Sequence, residues 1–225
     1  MRNLNIHIEV SSELYTKNPD SSELGREIIS KSIELIHEIG FESFTFKKLG
    51  KVINSPESSI YRYFDNKLTL LIYLSSWYWT WTEYRLAFAT NNLSSASERL
   101  NRCLEILTQP VKEDDDFSYI NEILLSEIIF SESLKAYHTK NVEEKNKRGS
   151  FTAYKNVVGR VSDIVLEINP LYEFPHMLIS TVIEGAHQQK YFAEHLPALT
   201  DKINDSNAIT QFYTRMVIET IKLNK

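Results

Sequence analysis

The chain has 225 residues, a formal net charge of −5 and 42% hydrophobic content; that is enough for a buried core, and only six glycines and six prolines exclude disordered and turn-rich all-β classes. No apolar run approaches the roughly 18 to 20 residues of a membrane span, and the opening MRNLNIHIEV lacks the basic-then-apolar layout of a signal peptide. These features predict an all-α, cytoplasmic protein without a membrane partner, and the single cysteine, Cys103, excludes an internal disulfide and reads as a buried, inert thiol.

A negative chain is poorly suited to nucleic acid, because that affinity rests on Lys and Arg neutralising phosphates. The average hides a local reversal. Residues 43–67 hold five basic side chains (Lys47, Lys48, Lys51, Arg62 and Lys67) against Glu57 and Asp65, a local +3, so the remainder carries −8.

Residues 1–19 form a polar arm in which Leu4, Ile6, Ile8 and Val10 alternate, as in a short strand or a loosely docked extension, with no function assigned. From Asp20, with Glu23 three residues on as in a capping box, Leu24, Ile28, Leu35 and Ile39 recur at helical spacing. Gly40 fits the left-handed stop of that helix, and Phe41 can fold back onto its last turn. Thr45 then caps a short second helix, 46–53, with Phe46, Leu49 and Ile53 on one face. Gly50 inside it costs about 1 kcal/mol relative to alanine, which predicts a close helix crossing there. Asn54 suits a left-handed turn, and Ser55 and Pro56 suit the N-cap and first residue of a third helix, 57–64. With Ile60 and Phe64 inward, the step of about 100° per residue turns Ser58 and Arg62 outward, flanked by Ser59, Tyr61 and Tyr63. Asp65 and Asn66 cap a long helix from Lys67 to about residue 91; further helices are predicted at 95–109, 118–130, 132–147, 150–168, 175–195 and 205–223.

Three short helices with a tight turn between the second and third have helix-turn-helix spacing, although many helical bundles contain such a corner. Arg62 offers a bidentate donor pair to guanine, Ser58 and Ser59 can bond bases or phosphates, and Tyr61 and Tyr63 carry phenolic donors. Lys67 adds a charge at a helix N-terminus, where free amides already favour anions. An ordinary solvated helix face is the alternative reading.

The run Ile-Gly-Phe-x-x-x-Thr-Phe-x-x-Leu-Gly at 39–50, followed by Ser-Ile-Tyr-Arg-Tyr-Phe-Asp-Asn-Lys at 59–67, resembles the TetR family of bacterial regulators. The resemblance implies a repressor that binds a two-fold symmetric operator in double-stranded DNA as a homodimer, with an effector pocket in a divergent C-terminal helical bundle. By position it makes Thr45, Ser59, Tyr61, Arg62, Tyr63 and Lys67 DNA contacts, to which Lys47, Lys48 and Ser58 are added on charge and helix face. Two residues depart from the family pattern. Asn54 stands where glycine is common and can adopt the same backbone, while Glu57 would be repelled by phosphate unless it caps its own helix or accepts from a cytosine amine. The expected domains are the arm, 1–19, a helix-turn-helix domain, 20–68, and a ligand-binding and dimerisation domain, 69–225.

A single short reading helix contacts little DNA, so a dimer spanning half-sites about 34 to 36 Å apart is expected. Met177, Val182 and Gly185, with Ile209, Phe212, Met216 and Thr220, are candidates for a four-helix seam between protomers, or else intrachain core. Trp77, Trp81, Tyr84, Phe130 and Tyr154 are candidates for an aromatic lining that would favour an apolar or amphipathic small-molecule effector, although such spacing also fits packing. Two rival functions stay open. Glu34-x-x-His37 and Glu184-x-x-His187 have the spacing of a helical-bundle di-metal enzyme, but their placement argues against convergence, so no metal or cofactor is predicted. The negative charge also leaves room for a protein-interaction scaffold without DNA binding.

Overall fold

The computed structural model describes residues 8–113, 119–137, 140, 142–201 and 207–222, and of residues 133, 134 and 136 the backbone alone. Leu4 and Ile6 of the alternating arm lie outside the described residues. Among those described, the regular elements are all helical. They divide into two compact units, one from Met1–Trp81 and Val111–Ala153, the other from Thr82–Pro110 and Tyr154–Lys225.

In the first unit, α1 (Glu23–Ser43) starts at an N-cap one residue pair later than predicted: Ser22, not Asp20, accepts from the Gly25 amide. Asp20 instead lies in a short 3-10 turn, Pro19–Ser21, and accepts a hydrogen bond from the Tyr119 hydroxyl at 2.5 Å. The buried stripe of α1 is Gly25, Ile28, Ile29, Ser32, Ile33 and Ile36, so of the four predicted stripe residues only Ile28 is buried. The stripe is displaced because α1 is covered on more than one side, by α2 (Phe46–Val52) and by α6 (Glu122–Tyr137). Gly40 does adopt the left-handed conformation, at φ 74°, and Phe41 beyond it is buried. Thr45 caps α2 as expected, accepting from the Lys48 amide.

Asn54 takes the left-handed turn at φ 47°, the only non-glycine residue with positive φ among those described. The next step differs from expectation. Pro56, not Ser55, is the N-cap residue, no side chain caps α3, and the α-helical part of α3 is only Glu57–Ile60. The chain continues past it in turns, closed by Tyr63 N–H to the Ile60 carbonyl at 2.9 Å and Phe64 N–H to the same carbonyl at 3.2 Å. Gly50 is crowded by the turn rather than by a crossing helix: a Cβ there would stand 2.6 Å from the Ser55 carbonyl oxygen, so the corner closes only on glycine. Phe44, Phe46, Leu49, Ile60 and Phe64 form the module's core, each at most 3% exposed.

α4 (Lys67–Thr90) runs in the first unit to Trp81 and in the second from Thr82. α6 crosses the break predicted near residue 131, since Ser131 bonds its hydroxyl to the Ile128 carbonyl and stays helical; α7 (Val142–Lys147) follows. The second unit holds α5 (Ala96–Thr108), α8 (Thr152–Ile168), α9 (Pro175–His195) and α10 (Ala208–Lys222), with α5, α9 and α10 packed on one another. Cys103 is fully buried there, and burial pushes its thiol up to about 12 against the opposing charges of Arg160 and Arg99, so it stays protonated.

Candidate nucleic-acid interface

The corner between α2 and α3 carries an outward polar surface. Thr45, Lys47, Lys48, Lys51, Ser58, Tyr61 and Arg62 are all exposed, and Ser59 is half-buried. Lys47, Lys51, Asn54, Ser55, Pro56 and Glu57 line one shallow hollow, which brings the lysines of α2 beside the start of α3. Glu57 lies in the first turn of α3 and accepts from the Tyr61 hydroxyl at 3.3 Å, which engages its carboxylate locally. The Tyr61 ring is held edge-on to Phe46 at 5.1 Å, so this exposed phenol is fixed by the module's core.

Two of the predicted contact residues sit differently from the rest. Tyr63 is only 2% exposed. Its hydroxyl is paired with Ser22 at 2.8 Å and accepts from the Lys17 ammonium at 3.2 Å. Burial pushes the phenol up, but hydrogen bonds from Ser22 and Lys17 and the charges of Lys17 and Arg62 outweigh it, holding Tyr63 below the ordinary tyrosine value. The Lys67 ammonium is likewise engaged, donating to the carbonyls of Phe41 at 2.9 Å, Glu42 at 3.0 Å and Phe44 at 3.2 Å, and lying 4.8 Å above the Phe41 ring. Those carbonyls end α1 and lack intrahelical donors, so Lys67 serves as their cap.

The ligand candidates fall in both units. Trp77 and Trp81 stack at 6.2 Å, each 1% exposed, and Phe130 lies edge-on to Tyr78 and Trp79, all in the first unit. Tyr84 and Tyr154 belong to the second, where Tyr154 donates its hydroxyl to Glu184. A groove of about 620 Å³ lies along α5 and α10, lined by Asn101, Glu105, Thr210, Gln211, Arg215 and Ile218 among others, none of which was anticipated. Among the seven seam candidates, Val182 is fully buried within the chain, and a Cβ on Gly185 would lie 2.2 Å from the Tyr213 hydroxyl, so Gly185 serves α9–α10 packing. Met177 and Phe212 are 67% and 60% exposed, whereas Ile209, Met216 and Thr220 are half-buried.

Three members of the Glu-x-x-His pairs have partners outside their own pair: Glu34 pairs with Lys31 at 2.7 Å, His37 with Glu127 at 2.7 Å, and Glu184 accepts from Tyr154. Among the described residues no three His, Cys, Asp or Glu side chains converge to hold a metal. None of the described helices is long and apolar enough to cross a membrane.

A tight glycine-dependent corner carrying exposed lysines and an exposed arginine has the form of a helix-turn-helix within an all-helical fold. The family described as "Bacterial regulatory proteins, tetR family" matches residues 28–74, so this module is a TetR-family regulator domain. The fatty acid degradation regulator FadR from Bacillus halodurans is 13% identical with a TM-score of 0.60, over 93% of this chain and 96% of that one. A TetR-family regulator from Mesorhizobium loti MAFF303099 is 12% identical at 0.51, over 88% and 95%. The superantigen PfiT is also 12% identical, at 0.58, over 90% and 97%. Identities this low carry the fold, and the range of names illustrates that fold alone does not fix function. Among curated proteins compared by sequence, none matches.

Proposed function

We propose that the protein is a cytoplasmic, ligand-responsive repressor that binds a two-fold symmetric operator in double-stranded DNA as a homodimer. The observation that carries this reading is the exposed array of Lys47, Lys48, Lys51, Ser58, Tyr61 and Arg62 at a rigid corner within the residues that match the family. In it, Arg62, Ser58 and Ser59 read base edges, while Thr45, Lys47, Lys48 and Tyr61 contact phosphate. Tyr63 and Lys67 act from behind, the one fixing the end of the reading helix and the other capping α1. Residues 20–68 are the DNA-binding domain and 69–225 the ligand-binding and dimerisation domain, a functional division that need not follow the compact units. The seam between protomers uses Met177 and Phe212, whose exposure in a single chain supports burial against a second copy. The effector is a small apolar or amphipathic molecule.

Selection from a randomised duplex pool tests the reading. Enrichment of an inverted repeat, with a complex of two chains per duplex by analytical ultracentrifugation, is expected. A failure to enrich any sequence would instead favour an interaction scaffold.

A further inference from the structure

Residues 8–19 of the arm, which the sequence leaves without a role, pack against the DNA-binding module. Ile8, Val10 and Leu14 are 4%, 6% and 4% exposed, and Tyr15 packs edge-on against Tyr73 at 6.1 Å. The Thr16 amide donates to the Tyr63 carbonyl at 2.9 Å, and its hydroxyl donates to Asp65 at 3.3 Å. The arm then passes over the first turn of α1 so closely that a Cβ on Gly25 would stand 2.2 Å from the Pro19 carbonyl oxygen. A backbone approach of that kind requires glycine at position 25, so arm and module fold as one body.

This path delivers a cation to the turn that follows α3. Lys17 is exposed, and its ammonium lies 3.2 Å from the Tyr63 hydroxyl and 5.0 Å from the centre of that ring. Its described hydrogen bond uses one of three N–H donors, and the acceptor is a phenol rather than a carboxylate, so the positive charge is not neutralised by it. Lys67 is the opposite case, with its donors directed at three backbone carbonyls. Resting on the regulator reading above, we propose that Lys17, held on Tyr63, is a DNA phosphate contact, and that the arm is therefore part of the DNA interface. The Tyr63 hydroxyl and the Thr16–Tyr63 backbone hydrogen bond are its mount.

The test is the salt dependence of binding to a random-sequence duplex and to the selected operator, for the wild type, Lys17→Gln and Lys17→Arg, with circular dichroism confirming the fold of each. Each phosphate contact contributes roughly 0.9 to the slope of log affinity against log salt, so loss of one per protomer in a dimer lowers the slope by about 2. The wild-type advantage over Lys17→Gln then shrinks about tenfold between 50 and 200 mM salt. Lys17→Arg keeps the wild-type slope. A uniform loss of affinity in Lys17→Gln with an unchanged slope would overturn the proposal and leave the regulator reading intact. Absence of salt-dependent binding by the wild type would overturn both.

Discussion

Replacing Lys67 with methionine keeps an apolar stem over Phe41 and removes the ammonium that caps α1. Three carbonyl oxygens, those of Phe41, Glu42 and Phe44, lose their donor. A hydrogen bond from a charged group contributes about 1.5 to 3 kcal/mol net, but these three share one ammonium and the Glu42 bond faces solvent, so they do not add. A neutral residue in the first turn of α4 also relieves an unfavourable cation–dipole contact of about 0.5 kcal/mol. The net destabilisation is then about 2 kcal/mol, which lowers Tm by roughly 4 to 8 °C in a chain of this size. Thermal unfolding followed by circular dichroism reads it, and the salt slope of DNA binding, measured well below Tm, is expected to be unchanged. An unaltered Tm together with a slope reduced by about 2 would refute the reasoning, because it would mean that the ammonium serves phosphate.

Gly25→Ala drives a Cβ into the Pro19 carbonyl and is expected to cost about 2 kcal/mol and to expose the arm to limited proteolysis. Gly159→Ala, with nothing within 4 Å of the added carbon inside α8, is expected to stabilise by up to about 1 kcal/mol, so both variants can be ranked in one thermal series. Asn54→Ala should lose about 1 kcal/mol in denaturant unfolding while Asn54→Gly stays near neutral, since only the backbone at φ 47° is at issue. Burial depresses Lys190 to about 8, against the opposing charge of Glu194, so its charged form is disfavoured in the fold. Its penalty is therefore complete below about pH 8 and relieved as pH rises toward the unfolded value near 10.5; relative to Lys190→Met, the wild type should gain roughly 3 kcal/mol across that window.

The parts of the module legible in the sequence are those with local causes. Thr45 caps α2 through its own hydroxyl, Gly40 and Asn54 take left-handed backbone, and Gly50 permits the corner, each decided within a few residues. Tyr63 and Lys67 were not legible in their roles, because their partners come from 41 to 46 and 23 to 26 residues away. Their residue types fit phosphate equally well, and only the approach of the arm and of the end of α1 turns them inward. The arm itself is held by two 3-10 turns and isolated apolar anchors, which have no helical or strand period to detect. The Ser22 cap was misplaced to Asp20 for a related reason: Asn18 starts a turn of its own at Pro19, and Asp20 is claimed by Tyr119. A signal was present in Gly25, since a glycine in the first turn of an amphipathic helix asks what crosses it.

The most direct test of the central claim is a fluorescence titration of operator DNA with the wild type and Arg62→Ala at two salt concentrations. Arg62 is exposed in the turn that follows α3, and its charge helps hold the Tyr63 phenol down. The account predicts tight, salt-sensitive binding by the wild type and a loss of about 1 to 3 kcal/mol of sequence discrimination in Arg62→Ala. Equal affinity of both proteins for operator and random DNA, at either salt, would contradict it.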